Sequence, residues 1–329
     1  MKISPALVYE RYGHPAEVLQ LAGMPLLPLQ EGEVRVQLIA SPIHPSDFGM
    51  INGSYGRLVQ LPAVAGREGV GEVVEVGLSV VDFQVGDKVA FLPKVPGVWQ
   101  TFLTLKASEL VALPANIPLL QASGALINPP TAYLLIKSII DLQPGEWILQ
   151  NGAHSAVGQL VIQLAQLLGF KTVNVVHNAQ QEKALRQLGA DAVVMEGSSY
   201  WKDLPSLTGG SPVRLALNST GGNSAIALIR ALSHEGTMVT FGGASSEHVK
   251  FPTKAFIFKA VRLVGFWWDH WRRQQTASTL QSLYAPLLTW MAEGKLSAPI
   301  EKVYPLKHFS AALLHAEQRG RKGKVFFAP

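Results

Sequence analysis

The eight residues Asn151-Gly152-Ala153-His154-Ser155-Ala156-Val157-Gly158 have the composition of a phosphate-binding turn. A pyrophosphate is held by exposed backbone N–H groups at a helix N-terminus, by small residues that let the backbone come close, and by a final glycine that lets helix and strand pack. In the frame that ends on Gly158, Ala153 and Ser155 stand where a G-x-G-x-x-G would carry glycines, so composition alone is a weak signal. Position strengthens it. The short apolar strand Glu146 to Gln150 precedes the turn, and Val157, Leu160, Val161, Leu164 and Leu168 follow at helical spacing. The next strand, Thr172 to Val176, runs into His177-Asn178-Ala179, where a site preferring NAD would place an Asp or Glu for the ribose hydroxyls. With no acid there, His177 and the nearby Lys183 and Arg186 suit the 2′-phosphate of NADPH, with NADH as the alternative cofactor. Lys183 and Arg186 read equally well as surface residues of a helix.

Residue types exclude much other chemistry. The absence of cysteine rules out disulfides, thiolate zinc sites, iron–sulfur clusters and a cysteine nucleophile. The nine histidines include no H-x-x-x-H or H-E-x-x-H pair, and no G-x-S-x-G marks a hydrolase. Tyr55, between Gly53 and Gly56, is a loop phenol that can donate a proton or hold a water that does so. Its bland alternative is a half-buried tyrosine anchored by its hydroxyl. Trp267, Trp268 and Trp271 could wall an apolar channel, although such a cluster is more often plain core.

The elements that must position these groups fall into two kinds. From about residue 33 to 112, short alternating stretches such as Glu33 to Leu38 and Gly71 to Gly77 are punctuated by glycine and proline, the pattern of a compact β-rich domain. After Pro144-Gly145, strands near 191–195, 213–217 and 237–241 alternate with helical segments, which argues for a doubly wound parallel sheet. The residues from Leu287 onward return to a less regular pattern and could rejoin the first domain. A chain of 329 residues, 48% apolar and 16% charged, has room for two buried cores. The net charge of +5 and the short basic runs at Trp271 to Arg273 and Arg319 to Lys324 do not imply nucleic-acid binding. No apolar run approaches the roughly 18 residues of a membrane helix, and the N-terminal segment lacks a secretory h-region; the expected compartment is the cytoplasm.

With the β-rich half first, the nucleotide half second and a C-terminal return, the chain resembles the medium-chain dehydrogenase/reductase superfamily. The local marker is Gly66-Arg67-Glu68-Gly69-Val70-Gly71-Glu72-Val73. Zinc alcohol dehydrogenases carry a ligand histidine after the first glycine, where this chain has Arg67. Segments at Ser41 to Asp47, Asn52 to Gly56, Asn128 to Tyr133, Gln150 to Gln159, Leu215 to Asn218, Gly236 to Gly243 and Gly265 to Trp267 are similar to the mitochondrial type of trans-2-enoyl thioester reductase. The chain departs from that family at His44, where asparagine is more usual, at His177-Asn178-Ala179, where an arginine-rich segment is usual, and at Trp268-Asp269-His270.

The resemblance implies an α/β architecture: a Rossmann-type doubly wound parallel sheet over 124–286, and a β-rich GroES-like catalytic domain built from 1–123 and 287–329. It implies zinc-independent, NADPH-dependent reduction of a conjugated double bond, because without a Lewis acid the electrophilic carbon must already be activated by conjugation. Hydride goes to the β-carbon, charge to the thioester oxygen, and a proton to the α-carbon. Tyr55 is then the catalytic proton source, and a backbone N–H near Trp267 faces the developing enolate oxygen. Cofactor contacts are implied at Asn128, Asn151, His154, Ser155, Ala156, Val157, His177, Asn178, Ala179, Phe241, Gly242, Gly243, Ala244, Phe266, Trp267, Trp268, Asp269 and Lys324. Arg272 and Arg273 could meet the phosphates of coenzyme A or an acidic carrier protein. The expected partners are an acyl-CoA or acyl-carrier-protein thioester and a second copy of the chain, with no nucleic acid and no membrane. Two alternatives stand beside this reading: a quinone or α,β-unsaturated ketone or aldehyde reductase on the same fold, and a nucleotide-binding protein with little turnover.

Overall fold

The computed structural model describes residues 3–95, 97–197, 199–318 and 320–329; Arg319, which heads the second basic run, lies outside them. The chain forms two compact units, Met1–Ile127 with Ala277–Pro329, and Asn128–Thr276. The bounds expected from sequence for the second unit are 124–286. In the structure, helix Ala277–Ala292 belongs wholly to the first unit.

The first unit is built on strand Glu33–Pro42, whose Val34, Val36 and Leu38 alternate into a core with Val73, Val89, Phe91 and Leu103. Period-two side chains on a pleated strand make this one-sided burial automatic. Each fully buried Val, Leu or Phe contributes about 1.5–3 kcal/mol relative to exposure. The strand pairs antiparallel with Gly69–Val76 and Phe102–Lys106, and its far end pairs with the C-terminal strand Lys324–Ala328, Phe327 opposite Ser41. That last pairing fixes a residue near the C-terminus beside the loop that opens helix Pro45–Asn52. A second core cluster holds Leu7, Tyr9, Trp99, Val325 and Phe327, with Trp99 and Phe327 edge to face at 4.9 Å.

The second unit is a six-stranded, wholly parallel sheet in the order Ala192–Met195, Lys171–Val176, Trp147–Gln150, Val213–Asn218, Thr237–Thr240, Arg262–Gly265. Numbered from its own first strand this is 3-2-1-4-5-6, the doubly wound order in which the chain reverses direction across the sheet between strands 1 and 4. Both faces are covered by helices, so Trp147–Gln150 is buried at every position, as a central parallel strand must be. Asn174 and Leu217 both pair with Gln150, and Asn218 pairs with Thr240, so these strands end at one edge, with Lys171–Val176 reaching past Gln150.

Candidate functional site

At the reversal point of the parallel sheet, the loops after four strands share one edge: 151–155, 177–178, 219–221 and 241–245. Asn151 ties two of them together. Its Nδ2 donates to Asn218 Oδ1 at 2.8 Å and to Ser224 Oγ at 3.0 Å, while its Oδ1 accepts from the Ser219 backbone N–H at 2.7 Å. Its own N–H donates to the Leu217 carbonyl and its carbonyl accepts from Ser219 Oγ. Asn151 was expected at the cofactor; here its polar groups hold the edge together.

The turn then enters helix Ala156–Leu168. Ser155 caps it, its hydroxyl accepting from the Gly158 N–H at 3.1 Å. Gly158 is required by close packing: a Cβ there would sit 2.6 Å from the Ala153 carbonyl oxygen. Gln150 braces the same helix, donating to the Gly158 carbonyl and to Asn174 Oδ1. His154 Nδ1 is buried with no hydrogen-bond partner among the described residues, and the ring meets that of His177 at 6.1 Å, nearly perpendicular. Burial, reinforced by His177, lowers the His154 pKa. Asn178 caps helix Ala179–Gln187 by accepting from the Gln181 N–H, so its side chain is already engaged. Lys183 and Arg186 lie on that helix, and Arg186 pairs with Glu182 at 2.9 Å. Phe241 and Ala244 are fixed by N–H donation to the Asn218 and Ser219 carbonyls, with Gly242 and Gly243 between them.

The sheet edge next reaches Phe266, whose N–H donates to Thr240, and Trp267, which precedes helix Trp268–Arg273 and is 37% exposed. Trp268 is buried and stacks on Trp271 at 5.6 Å. Asp269, expected at the cofactor, is buried and ion-paired with Arg272 at 3.3 Å and Arg273 at 3.2 Å. The two arginines expected to meet coenzyme A phosphates therefore both face Asp269, and Arg272 is buried. Asn128 opens helix Asn128–Lys137 and is buried.

The first unit holds a second cluster. Helix Pro45–Asn52 ends at Gly53 in the left-handed conformation, which folds the chain back so that the Tyr55 N–H donates to the Gly49 carbonyl. Tyr55 is half-buried, and its hydroxyl accepts from Arg67 Nη1 at 3.0 Å. Beside it runs a buried chain of ionisable groups. Lys324 Nζ contacts His44 Nδ1 at 2.7 Å, and His44 Nε2 contacts Glu68 Oε1 at 2.6 Å. The Leu126 N–H donates to the other carboxylate oxygen. An ammonium only donates, so Nδ1 accepts and the imidazole proton resides on Nε2, donated to Glu68. His44 is held neutral, its pKa driven well down by burial and then by Lys324 and Arg67. Burial also pushes Glu68 up and Lys324 down, and the attraction of each for the other opposes both shifts. Asp47 accepts from the His44 N–H, and burial raises its carboxyl to about 6. Lys324, expected at the cofactor, thus has its ammonium on His44. In the sequence His44 stands out only as a departure from the resembled family and nothing assigns Glu68 a role, because groups 24 and 280 residues apart leave no local signal.

Residues 156–284 match the family model "Zinc-binding dehydrogenase" and residues 30–115 match "Alcohol dehydrogenase GroES-like domain". The chain does not fit a zinc ion: it has no cysteine, and the described residues contain no group of three His, Asp or Glu side chains placed to ligate one. The enoyl-[acyl-carrier-protein] reductase, mitochondrial, of Xenopus tropicalis is 40% identical over 315 residues, spanning 93% of this chain and 90% of its own. Among solved structures, a putative NADPH:quinone reductase from Bacillus thuringiensis superposes with TM-score 0.93 at 29% identity, covering both chains fully. The complex of Etr1p with NADP and crotonyl-CoA superposes with TM-score 0.89 at 28% identity, again over the whole of both chains. The mitochondrial relatives overturn the cytoplasmic expectation. That expectation rested on the missing secretory h-region and apolar span, and neither feature reports on import into an organelle.

Proposed function

The chain belongs to the mitochondrial-type enoyl reductases of the medium-chain dehydrogenase/reductase superfamily, and on that premise we propose that it reduces the conjugated double bond of 2-enoyl thioesters with NADPH. The observation that carries this reading is the extent of the likeness: it spans 93% of the chain, and so takes in the nucleotide unit and the β-rich unit together. The Etr1p complex, which holds NADP and crotonyl-CoA, supports the same cofactor and substrate class.

The nucleotide edge fits such a cofactor. Two structural observations support it: the capped helix N-terminus with a close-packed Gly158, and the unpartnered buried Nδ1 of His154 facing His177. His154 to Val157 would receive the pyrophosphate, and His177 with His154 the 2′-phosphate, while Phe241 to Ala244 and Phe266 to Trp267 would line the rest. NADPH, when bound, supplies the hydride. The chain's own residues then stabilise the charge that develops on the thioester oxygen, for which the Trp267 N–H is the candidate donor, typically about 3–4 kcal/mol for such a group. Tyr55 supplies the proton for the α-carbon.

A second reading, reduction of a quinone or conjugated ketone or aldehyde, draws on the Bacillus thuringiensis neighbour. Loss of NADPH absorbance with crotonyl-CoA, a benzoquinone and an alkenal in parallel separates the two. Fast turnover of the thioester alone is expected; preference for the quinone or alkenal would replace the first reading with the second. We further propose a homodimer joined along Arg262–Gly265, the outermost strand of its sheet, near the exposed Phe251, Ile257 and Phe258. A monomer in sedimentation at micromolar concentration would contradict it.

A further inference from the structure

We propose that a groove beside strand Phe102–Lys106, in the first unit, docks a short extended acidic segment of a partner protein. The inference goes beyond the reductase reading and uses none of the residues assigned there.

The groove has a volume of about 510 Å³, within the roughly 300–1,000 Å³ of ordinary ligand sites. Gln100 and Leu105 both line it. Five steps of extended chain at about 3.3 Å each give it a length of roughly 17 Å, the span of about five residues of a second extended chain.

Parity along the strand identifies which backbone groups face the groove. The Leu38 N–H donates to the Thr101 carbonyl, and Leu103 and Leu105 stand opposite Val36 and Val34. Odd-numbered residues therefore turn their backbone groups toward strand Glu33–Pro42, and even-numbered ones turn theirs to the other side. On that side no strand pairs among the described residues. Phe102 spends its outward N–H and carbonyl on Ser4 Oγ, at 2.9 and 3.4 Å, and the Lys106 N–H donates to Glu109 Oε2 at 3.4 Å. Thr104 lies between them and lines the groove, and its N–H and carbonyl have no partner among the described residues. Side chains thus blunt the edge on both flanks of Thr104, which leaves room for one short segment and discourages a long strand.

Charge and apolar surface select the occupant. No Asp or Glu lines the groove, whereas Arg57 and Lys94 do. Arg57 is exposed and has no ion-pair partner among the described residues. The Glu109 oxygens accept from the Lys94 and Lys106 backbone N–H groups. Leu58 and Val95, 41% and 71% exposed, add apolar surface to the same groove. A segment that alternates carboxylates with apolar side chains meets both kinds of surface, while its backbone exchanges two hydrogen bonds with Thr104. A fatty carboxylate would use the charge and the apolar surface but leave Thr104 unpaired.

The test uses the full chain and a fluorescein-labelled heptapeptide of alternating glutamate and leucine, followed by fluorescence anisotropy beside its lysine–leucine counterpart. Expected is saturable binding of the glutamate peptide with Kd below about 1 mM, weakened by added salt, with the lysine peptide at least about tenfold weaker. Arg57→Glu and Val95→Glu, both at exposed positions, each weaken the glutamate peptide at least about tenfold. N-methylation of one alternate set of peptide amides removes binding, and of the other set leaves it within about threefold, because an edge strand pairs through every second residue. Absence of binding, equal binding of the lysine peptide, or indifference to both substitutions overturns the inference. If both N-methylated forms bind like the parent, or decanoate displaces the peptide at a lower concentration than unlabelled peptide does, the groove takes a fatty carboxylate and the inference is likewise overturned. Thermal unfolding matched to the wild type shows that the variants fold; should either not, the peptide comparisons decide alone.

Discussion

Replacing Glu68 by glutamine alters one atom in the buried chain Lys324–His44–Glu68, and the hydrogen-bond polarity of that chain predicts the cost. Lys324 donates to Nδ1, Nε2 donates to Oε1, and the Leu126 N–H donates to Oε2, so Glu68 receives two donors and offers none. A glutamine has one acceptor and one donor face. In either flip of its amide, an N–H meets another N–H, from His44 or from Leu126. Turning the imidazole to its other tautomer only moves the conflict to Lys324. The substitution also removes the negative charge that acts, across the intervening His44 ring, on the ammonium of Lys324, a residue 9% exposed. Breaking one side of a buried ion pair costs about 3–5 kcal/mol, whereas replacing both partners with apolar groups is often neutral. The expectation is that Glu68→Gln lowers unfolding free energy in urea by about 3–5 kcal/mol. Adding Lys324→Met should recover at least half of that loss, since the stranded cation is gone. The recovery separates charge from packing. A Glu68→Gln loss below about 1 kcal/mol, or a double variant worse than the sum of the singles, would refute the polarity argument.

Three further outcomes follow from other parts of the structure. His44 has a depressed folded-state pKa, so the unfolded chain binds a proton there below about pH 6.5 that the native state refuses; relative to His44→Asn, the wild type should lose up to about 1.4 kcal/mol per pH unit as pH falls through that range, and parallel stability curves would exclude it. The Asn151→Ala change strands the Ser219 N–H and removes two donated bonds, and should cost about 2–4 kcal/mol and weaken NADPH binding in calorimetry; a loss under about 1 kcal/mol would show the edge is held otherwise. The His154 pKa is lowered by burial and by His177, and a bound 2′-phosphate would raise it. NADPH binding should therefore take up protons and tighten relative to NADH by about tenfold per unit of that shift as pH drops below 6.5, and equal pH dependence for the two would remove the histidine pair from phosphate recognition.

Much of the architecture is legible along the chain because it is carried by local periodicity. Alternation in Glu33 to Leu38 and the apolar run before Asn151 are set by neighbouring side chains, so strands and the nucleotide turn can be read in order. The doubly wound sheet follows, because strands separated by helices can scarcely close otherwise. Short-range spacing also located Tyr55 in a loop, and the family resemblance marked Arg67 and His44 as departures. What tertiary structure alone decided is where polar side chains direct their bonds. Lys324, Asp269, Asn151 and Asn178 all carry plausible ligand-binding chemistry, yet each is met first by a protein partner, on His44, Arg272, Asn218 and Gln181 respectively. The Lys324 ammonium reaches His44 only because strand Lys324–Ala328 pairs with the end of Glu33–Pro42, a contact across 280 residues. A hydrogen bond is a short-range, directional interaction between groups the chain brings together late. Residue type states what a side chain can donate or accept; only the fold states to whom.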